Sequence, residues 1–227
     1  CVDLGGRRPS IREVLDNRIS VHYPSPPLRV AELAVEVRRR GPLPSLDDPL
    51  VSVRLGKRLI DGSGESVLRE LVRLLRRSDP DVLVTENGDS FVLPYLYGLA
   101  RRLGIEDFTL GREGSDSRPT RKESTCFSYG RVIHKNAAYY LRGRLHIDRS
   151  NSFLFQEGGL EGVIDMSRLS GIPIQRQGRT SPGTAISAME VNHVLRSGRL
   201  VPWKKNLPED FKSLRSLLSS DRGGFIY

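Results

Sequence analysis

Cysteine is scarce in this chain, with only Cys1 and Cys126 among 227 residues. Two cysteines are too few for a disulfide framework and show no metal-ligand spacing, so we interpret both as free thiols of a reducing compartment. Long apolar runs are also lacking. None approaches the ~18 residues of a membrane span, and the N-terminus has no signal-peptide pattern. The sequence therefore predicts a cytoplasmic protein with no membrane partner.

Common catalytic motifs are missing as well. The four histidines are scattered without ligand spacing, and His146, in a predicted strand, is interpreted as a core residue. No serine lies in a Gly-x-Ser-x-Gly turn. The glycine pairs at 158–159 and 223–224 are interpreted as turn glycines and not as phosphate-binding loops.

Positive charge, in contrast, is in excess. Lysine and arginine number 36 against 27 aspartates and glutamates, which gives a net charge of +9. Such an excess favours polyanionic partners, and nucleic acid is the commonest polyanion in a cytoplasm. Arginine suits bidentate phosphate contacts, but its abundance also follows from a GC-rich genome or a hot habitat, so composition alone leaves both explanations open.

The order of the predicted elements indicates an α/β domain. A buried strand is predicted over 28–37, a hairpin over 48–63 and an amphipathic helix over 65–78. A strand over 79–86 and a helix over 92–103 follow. This order is typical of a central sheet covered by helices.

The remaining sequence predicts more strands and then helices. Two stretches, CFSYGRVI and AYYLRGRLHID, are expected to extend the same sheet. Later helices are predicted at 160–171, at 181–198 with Ser181 as the N-cap, and at 208–220. We therefore predict three parts: a partial N-terminal lead-in (1–29), an α/β domain (30–157) and a helical extension (158–227).

One stretch, SDPDVLVTENGDSFVLPYLYGLARRLGI, resembles the second exonuclease motif region of archaeal family B DNA polymerases. LAVEV resembles the first motif strand, LIDGSGESVLRELVRLLR the helix that follows it, and GRLHID a later strand. DMSRLSGIP, RTSPGTAIS, LVPWKK and DRGGFIY resemble the connection towards the palm. These ordered matches run from about Pro26 to Tyr227. The resemblance implies a ribonuclease H-like 3'-5' exonuclease fold, a mixed central sheet flanked by helices, with an extension leading to the palm domain.

The polymerase motifs DxxSLYP, KxxxNSxYG and DTD do not occur in the sequence. Because the chain also opens with Cys1 instead of methionine, we expect a piece of a longer polymerase. The resemblance implies that magnesium serves only the polymerase domain of that parent, and that this chain needs no cofactor. Whether the chain itself is an enzyme stays open.

The resemblance also implies a nuclease site whose metal ligands are exchanged. The family uses DxE, then an Asp after NxxxF, then YxxxD. Here the first motif reads Ala34-Val35-Glu36, the second runs from Asn87 through Asp89 to Val92, and the third is missing between Asp148 and Asp165.

Hydrolysis by this family requires two metal ions ~4 Å apart, and hard cations need several oxygen ligands. We therefore expect Ala34, Glu36, Asn87, Asp89 and Val92 to form a degenerate site without nuclease activity. Asp89 and Asp148 are expected to brace a turn. A working nuclease with relocated ligands is the less favoured alternative.

We predict that the chain still binds DNA although it no longer hydrolyses it. The candidate phosphate contacts are Arg112, Arg118, Arg121, Lys122, Arg176, Arg179, Lys204 and Lys205. Solvated surface explains these charges equally well, and it is the preferred interpretation for the arginines of the helix at 65–78. Trp203 and Tyr139-Tyr140 could stack on bases, although core packing is favoured.

The main hypothesis is an exonuclease-like, inactive portion of an archaeal family B polymerase that acts in DNA replication or repair. Its expected partners are DNA and the palm, fingers and thumb of the parent polymerase. The alternative is a self-standing, non-catalytic module that binds nucleic acid or protein.

Overall fold

A computed structural model of the protein describes residues 2–3, 10–11, 20, 23–114, 119–120, 123–128, 131–135 and 137–201. The chain falls into two compact units, Cys1–Glu190 and Val191–Tyr227. The sheet, its flanking helices and the candidate site all lie in the first unit. Within the described residues, no helix has the length and apolar character that crossing a bilayer requires.

The strands of the described residues are β1 (Val2–Asp3), β2 (Ser10–Ile11), β3 (Val30–Val37), β4 (Leu50–Leu55), β5 (Arg58–Asp61), β6 (Val82–Thr85), β7 (Ser124–Ser128), β8 (Arg131–Lys135) and β9 (Leu145–Asp148). The α-helices are α1 (Gly64–Ser78), α2 (Leu93–Arg102), α3 (Phe153–Ser170), α4 (Ile174–Gln177) and α5 (Pro182–Arg196). A π-helical turn occupies Gly88–Val92, and a 3-10 turn occupies Arg149–Asn151.

The central sheet has five strands in the order β5-β4-β3-β6-β9. The first three are antiparallel neighbours, whereas β6 is parallel to both β3 and β9. This mixed sheet with flanking helices is the ribonuclease H-like exonuclease fold that the resemblance implies. Because β3 and β6 are parallel, their carboxyl ends meet at one edge of the sheet, and this edge holds the candidate site.

The sequence explains where helix α1 begins and ends and which of its faces is buried. Ser63 is the N-cap, and its side chain accepts a hydrogen bond from the Ser66 backbone N–H at 3.3 Å. The apolar positions face the core, where Val67, Leu68 and Leu71 are fully buried. The helix ends at Asp79, which adopts a left-handed conformation and donates its N–H to the Leu75 carbonyl.

The prediction that CFSYGRVI and AYYLRGRLHID both extend the sheet is wrong in part. The first stretch contributes to a separate hairpin, in which β7 pairs with β8 as a two-stranded sheet of the described residues. Of the second stretch, only β9 joins the sheet. The backbone N–H groups of Tyr139 and Leu141 donate instead to the side chains of Asp89 and Gln175, so side chains replace the strand neighbour there.

The predicted helices at 160–171 and 181–198 are present as parts of α3 and α5. Gly159 interrupts α3 with φ 62° and ψ −162°, close to the predicted boundary at 157–158. Leu154 and Val163, on the two sides of this break, share one apolar cluster with strands of the sheet. Ser181 caps α5 as predicted, because its Oγ accepts the Thr184 N–H at 3.3 Å. The predicted helix at 208–220 and the final segment lie outside the described residues.

Candidate functional site

An open cleft of about 860 Å³ lies at the carboxyl ends of β3 and β6. Ala34, Glu36, Asn87 and Val92, which the sequence places in two separate motifs, all line it. Its other lining residues are Val35, Val37, Arg39, Leu43, Pro44, Leu46, Glu86, Ser90 and Phe91. Asp89 does not line the cleft, although it belongs to the same motif.

The π-helical turn sets which side chains face the cleft. Asn87 has a left-handed conformation, φ 55°, and its carbonyl accepts the N–H groups of both Phe91 and Val92. Gly88 is required by close packing, since a Cβ there would lie 1.9 Å from the Thr85 hydroxyl and 2.6 Å from the His146 ring. Val92 is only 3 % exposed and belongs to the main apolar core.

The cleft holds two carboxylates, and each is already hydrogen-bonded to a serine. Glu36 accepts from the Ser52 hydroxyl at 3.0 Å, and Glu86 accepts from the Ser150 hydroxyl at 2.6 Å. Glu86 was missed by the sequence reasoning, although it directly precedes the motif at Asn87. Among the described residues, no group of three or more His, Cys, Asp or Glu side chains is placed to hold a metal ion. The residues present therefore do not fit a pair of divalent cations.

Asp89 points into the interior, where Arg179 neutralises it. Arg179 donates from Nε to Asp89 Oδ2 at 2.6 Å and from Nη2 to Oδ1 at 3.0 Å. The Tyr139 N–H and the Asn151 amide donate to the same carboxylate. Burial alone would raise the pKa of Asp89, but the hydrogen bonds and charge of Arg179 outweigh burial and lower it. Asp89 is therefore an ionised internal anchor.

Asp148 braces the same turn. Its carboxylate accepts the backbone N–H of Asp89 at 2.8 Å and that of Ser150 at 3.1 Å. The side chain is almost fully buried, and this burial raises its pKa. The turn-bracing roles predicted for Asp89 and Asp148 agree with these contacts.

His146 is a buried core residue, as predicted, with no exposed surface. Its Nε2 lies 2.8 Å from the Thr85 hydroxyl, and its Nδ1 lies 2.8 Å from the Tyr139 carbonyl. Burial, reinforced by the nearby charge of Arg179, lowers the pKa of His146 to about 4. The imidazole is therefore neutral near pH 7.

Two predicted phosphate contacts have other partners in the structure. The Arg179 side chain is 1 % exposed, and it also donates to the His146 and Gln175 carbonyls, which is inconsistent with a DNA contact. Arg112 bridges Asp79 and Asp81 and donates to the Gly143 carbonyl. Its hydrogen bond lowers the pKa of Asp79 to about 2.

Of the other candidates for DNA contact, one lies among the described residues. Arg176 is exposed and forms no ion pair with the described residues. The remaining candidates lie outside the described residues: Arg118, Arg121, Lys122, Lys204 and Lys205. For these five, phosphate binding stays a prediction.

Comparison with known proteins relates part of this chain to DNA polymerases. Residues 61–154 match the family described as DNA polymerase family B, exonuclease domain. A DNA polymerase of Pyrococcus glycovorans is 36 % identical over 86 residues, which are 38 % of this chain and 10 % of that protein. DNA polymerase 1 of Pyrococcus abyssi is 34 % identical over 104 residues, which are 46 % of this chain and 11 % of that protein.

A solved structure shares the fold. The family B DNA polymerase from the hyperthermophilic archaeon Pyrobaculum calidifontis superimposes with a TM-score of 0.57 at 22 % identity, over 78 % of this chain and 30 % of that one. The stretches that match the two Pyrococcus polymerases span only about a tenth of the length of those proteins. Together, these matches show that residues 61–154 are similar to the exonuclease domain of DNA polymerase family B, and that the chain shares the fold of a family B polymerase.

Proposed function

We propose that this domain no longer hydrolyses DNA and instead serves as a structural, DNA-binding part of a family B DNA polymerase. The observation behind this proposal is the composition of the cleft. Two positions where the family resemblance implies metal-binding carboxylates hold Ala34 and Val92, and Val92 packs into the apolar core.

The chemistry explains why these exchanges matter. Phosphodiester hydrolysis in such a site depends on two cations that orient the attacking water and stabilise the leaving oxygen. Glu36 and Glu86 are the only carboxylates among the residues that line the cleft, and the side chains beside them are largely apolar. Two carboxylates from different elements supply fewer protein oxygen ligands than a pair of divalent ions ordinarily takes, which supports the loss of hydrolysis.

The similarity to DNA polymerases supports a role in DNA replication or repair. The relatives named above are DNA polymerases, and the net charge of +9 favours a polyanionic partner. In the parent protein, this domain would pack beside the palm, fingers and thumb and would guide DNA without cutting it.

The experiment that tests the proposal measures metal binding and cleavage on the same preparation. Manganese and magnesium are titrated calorimetrically into the chain, and digestion of labelled single-stranded DNA is followed in parallel. We expect no site-specific metal binding and no cleavage.

A gain-of-ligand variant provides the control. Ala34→Asp combined with Val92→Asp adds two carboxylates at the cleft, and we expect manganese binding to rise above that of the unaltered chain. Because Val92 also packs into the apolar core, circular dichroism and thermal melting verify that this variant folds. Cleavage by the unaltered chain that disappears in Glu36→Ala would show that other acids have rebuilt the site, and the proposal would then be wrong.

A further inference from the structure

Three consecutive arginines, residues 38–40, directly follow the last residue of β3, at the end of the sheet that holds the cleft. We name them the arginine run. All three are exposed, and none forms an ion pair with the described residues. Arg39 is also one of the residues that line the cleft. The arginine run thus differs from Arg112 and Arg179, whose charges are neutralised by aspartates.

Two exposed leucines lie on the same cleft. Leu43 and Leu46, in the loop between β3 and β4, line the cleft and are 77 % and 43 % exposed. Their loop is anchored to the fold, because the Tyr95 hydroxyl donates to the Asp48 carbonyl at 2.8 Å and the Asp48 carboxylate accepts the Ser45 N–H at 2.8 Å. The cleft therefore presents apolar surface to solvent from a loop with fixed contacts.

The two carboxylates of the cleft act against phosphate. Glu36 lies within β3 and Glu86 directly follows β6, whereas the arginine run lies beyond the end of β3. Both glutamates are exposed and accept hydrogen bonds from serines, and neither forms an ion pair with the described part of the chain. Negative charge that no cation neutralises repels a phosphate group. This step rests on the proposed function, because bound metal ions would remove the repulsion.

We propose that the cleft binds single-stranded DNA with its bases inside and its phosphates outside. A hydrolytic site requires the reverse, because the scissile phosphate has to reach the metal ions. Here the phosphates would contact the arginine run, and an unpaired base would lie against Leu43, Leu46 and the half-buried ring of Phe91. The volume of about 860 Å³ is sufficient for a base.

Single-stranded DNA fits these features better than duplex DNA or an acidic peptide. Unpaired bases expose apolar faces that can contact the leucines, whereas the bases of a duplex are stacked and paired. An acidic peptide could pair with the arginine run, but its carboxylates would meet Glu36 and Glu86 at close range. The bases, which carry no charge, are the part of a strand that the cleft can accept.

Binding by the full chain is measured by fluorescence anisotropy in EDTA, with labelled oligodeoxythymidylate and an abasic strand of the same length and charge. We expect the abasic strand to bind about tenfold more weakly, because it lacks the bases that contact the cleft. Polyglutamate should compete poorly. The proposal is overturned if no DNA binds, if both strands bind equally, or if polyglutamate competes as well as DNA.

The contribution of the arginine run is tested by changing residues 38–40 to glutamine. The matched control changes Arg76, Arg77 and Arg101 to glutamine, because these are exposed and lie outside the cleft. Loss of three phosphate contacts should make the dependence of log affinity on log salt shallower by about 2 in the first variant only. Equal changes in both variants would mean that net charge alone governs binding, and would overturn the proposal.

The position of the base is tested by Leu43→Ser combined with Leu46→Ser. We expect this variant to bind oligodeoxythymidylate as weakly as the abasic strand, whereas Leu59→Ser, at a 64 % exposed position of β5 outside the cleft, should retain the preference. Glu36→Gln combined with Glu86→Gln should strengthen binding of the abasic strand, since phosphate is no longer repelled. Circular dichroism and thermal melting verify that the variants fold. A preference for bases that survives in the leucine variant would overturn the proposal.

These outcomes are distinguishable from failure of the proposed function. No metal is present in the binding assay, so hydrolysis is measured separately in the cleavage experiment described above. A chain that cleaves DNA with metal would contradict both proposals, whereas a chain that neither cleaves DNA nor prefers bases would contradict only this one.

Discussion

At the scale of a single residue, Gly88 shows how closely the interior behind the candidate site is packed. We expect Gly88→Ala to lower the free energy of unfolding by about 1–3 kcal/mol, because the added methyl group meets Thr85 and His146 inside the core. Gly98→Ala is the matched control, since a Cβ in that helical position meets nothing within 4 Å and is expected to be neutral or stabilising. Urea unfolding of both variants measures the difference, and equal effects would contradict the packing argument.

The buried ion pair between Asp89 and Arg179 gives a second prediction. Arg179→Met leaves the Asp89 carboxylate buried without its cation, and we expect a loss of about 3–5 kcal/mol in the free energy of unfolding. Arg176→Met, in the same segment but exposed, is expected to change that energy by less than about 0.5 kcal/mol. A double-mutant cycle with Asp89→Asn isolates the coupling of the pair. Additive effects in this cycle would show that the pair contributes nothing beyond its separate groups.

The lowered pKa of His146 predicts how the free energy of unfolding depends on pH. Its pKa falls from 6.5 to about 4 on folding, so the unfolded state binds more protons than the folded state between these values. The free energy of unfolding should therefore rise with pH across this window, and the contribution of His146 should be complete above about pH 6.5. Asp148 contributes in the opposite sense above about pH 3.8, because its pKa is raised from that value on folding.

The variant His146→Gln separates the two groups, because it removes only the imidazole. Urea unfolding at several pH values should give a shallower slope for this variant than for the unaltered chain. Identical slopes would mean that His146 titrates as it does in the unfolded state.

At the scale of elements, α1 depends on its cap. We expect Ser63→Ala to destabilise the protein by about 1 kcal/mol, because the Ser66 N–H loses its acceptor at the helix start. Ser63→Asp is the conservative control, since aspartate caps helices well and its charge suits the helix N-terminus. Thermal melting compares the two, and the cap would be unimportant if both melted with the unaltered chain.

Elements with a regular apolar period were predictable from the sequence. The arrangement of α1 follows from its amphipathic spacing, and β3 from a dense apolar run. The hairpin of β7 and β8 was not predictable as a separate sheet, because propensity indicates a strand but not its partner. The same limit explains why Tyr139 lies outside the sheet.

Long-range contacts limited the prediction of the site in the same way. The residues facing the cleft could be read from two motifs, since each motif lies at the carboxyl end of one strand. The partner of Asp89 could not be predicted in this way. Arg179 lies 90 residues away, and nothing local distinguishes it from an exposed arginine such as Arg176. Only the fold decides which of the two is buried.

At the scale of the whole molecule, the net charge of +9 predicts salt-dependent DNA binding. The logarithm of the affinity for single-stranded DNA should fall linearly with the logarithm of salt concentration. Arg176→Ala should make this slope shallower by about 0.7, as expected for one lost phosphate contact. Arg112→Ala serves as the comparison, because Arg112 is held by Asp79 and Asp81 and its loss should leave the slope unchanged. Fluorescence anisotropy measures both, and an altered slope in Arg112→Ala would show that this arginine leaves its partners to bind DNA.

The turn at Gly88–Val92 is held from behind by Asp89, Arg179 and Asp148, and none of these three lines the cleft. The side chains that hold the turn are therefore different from the residue that would bind metal at position 92. In this chain, Gly88 and Asp89 thus report how the interior is packed, whereas the side chain at position 92 decides which ligands the cleft can offer.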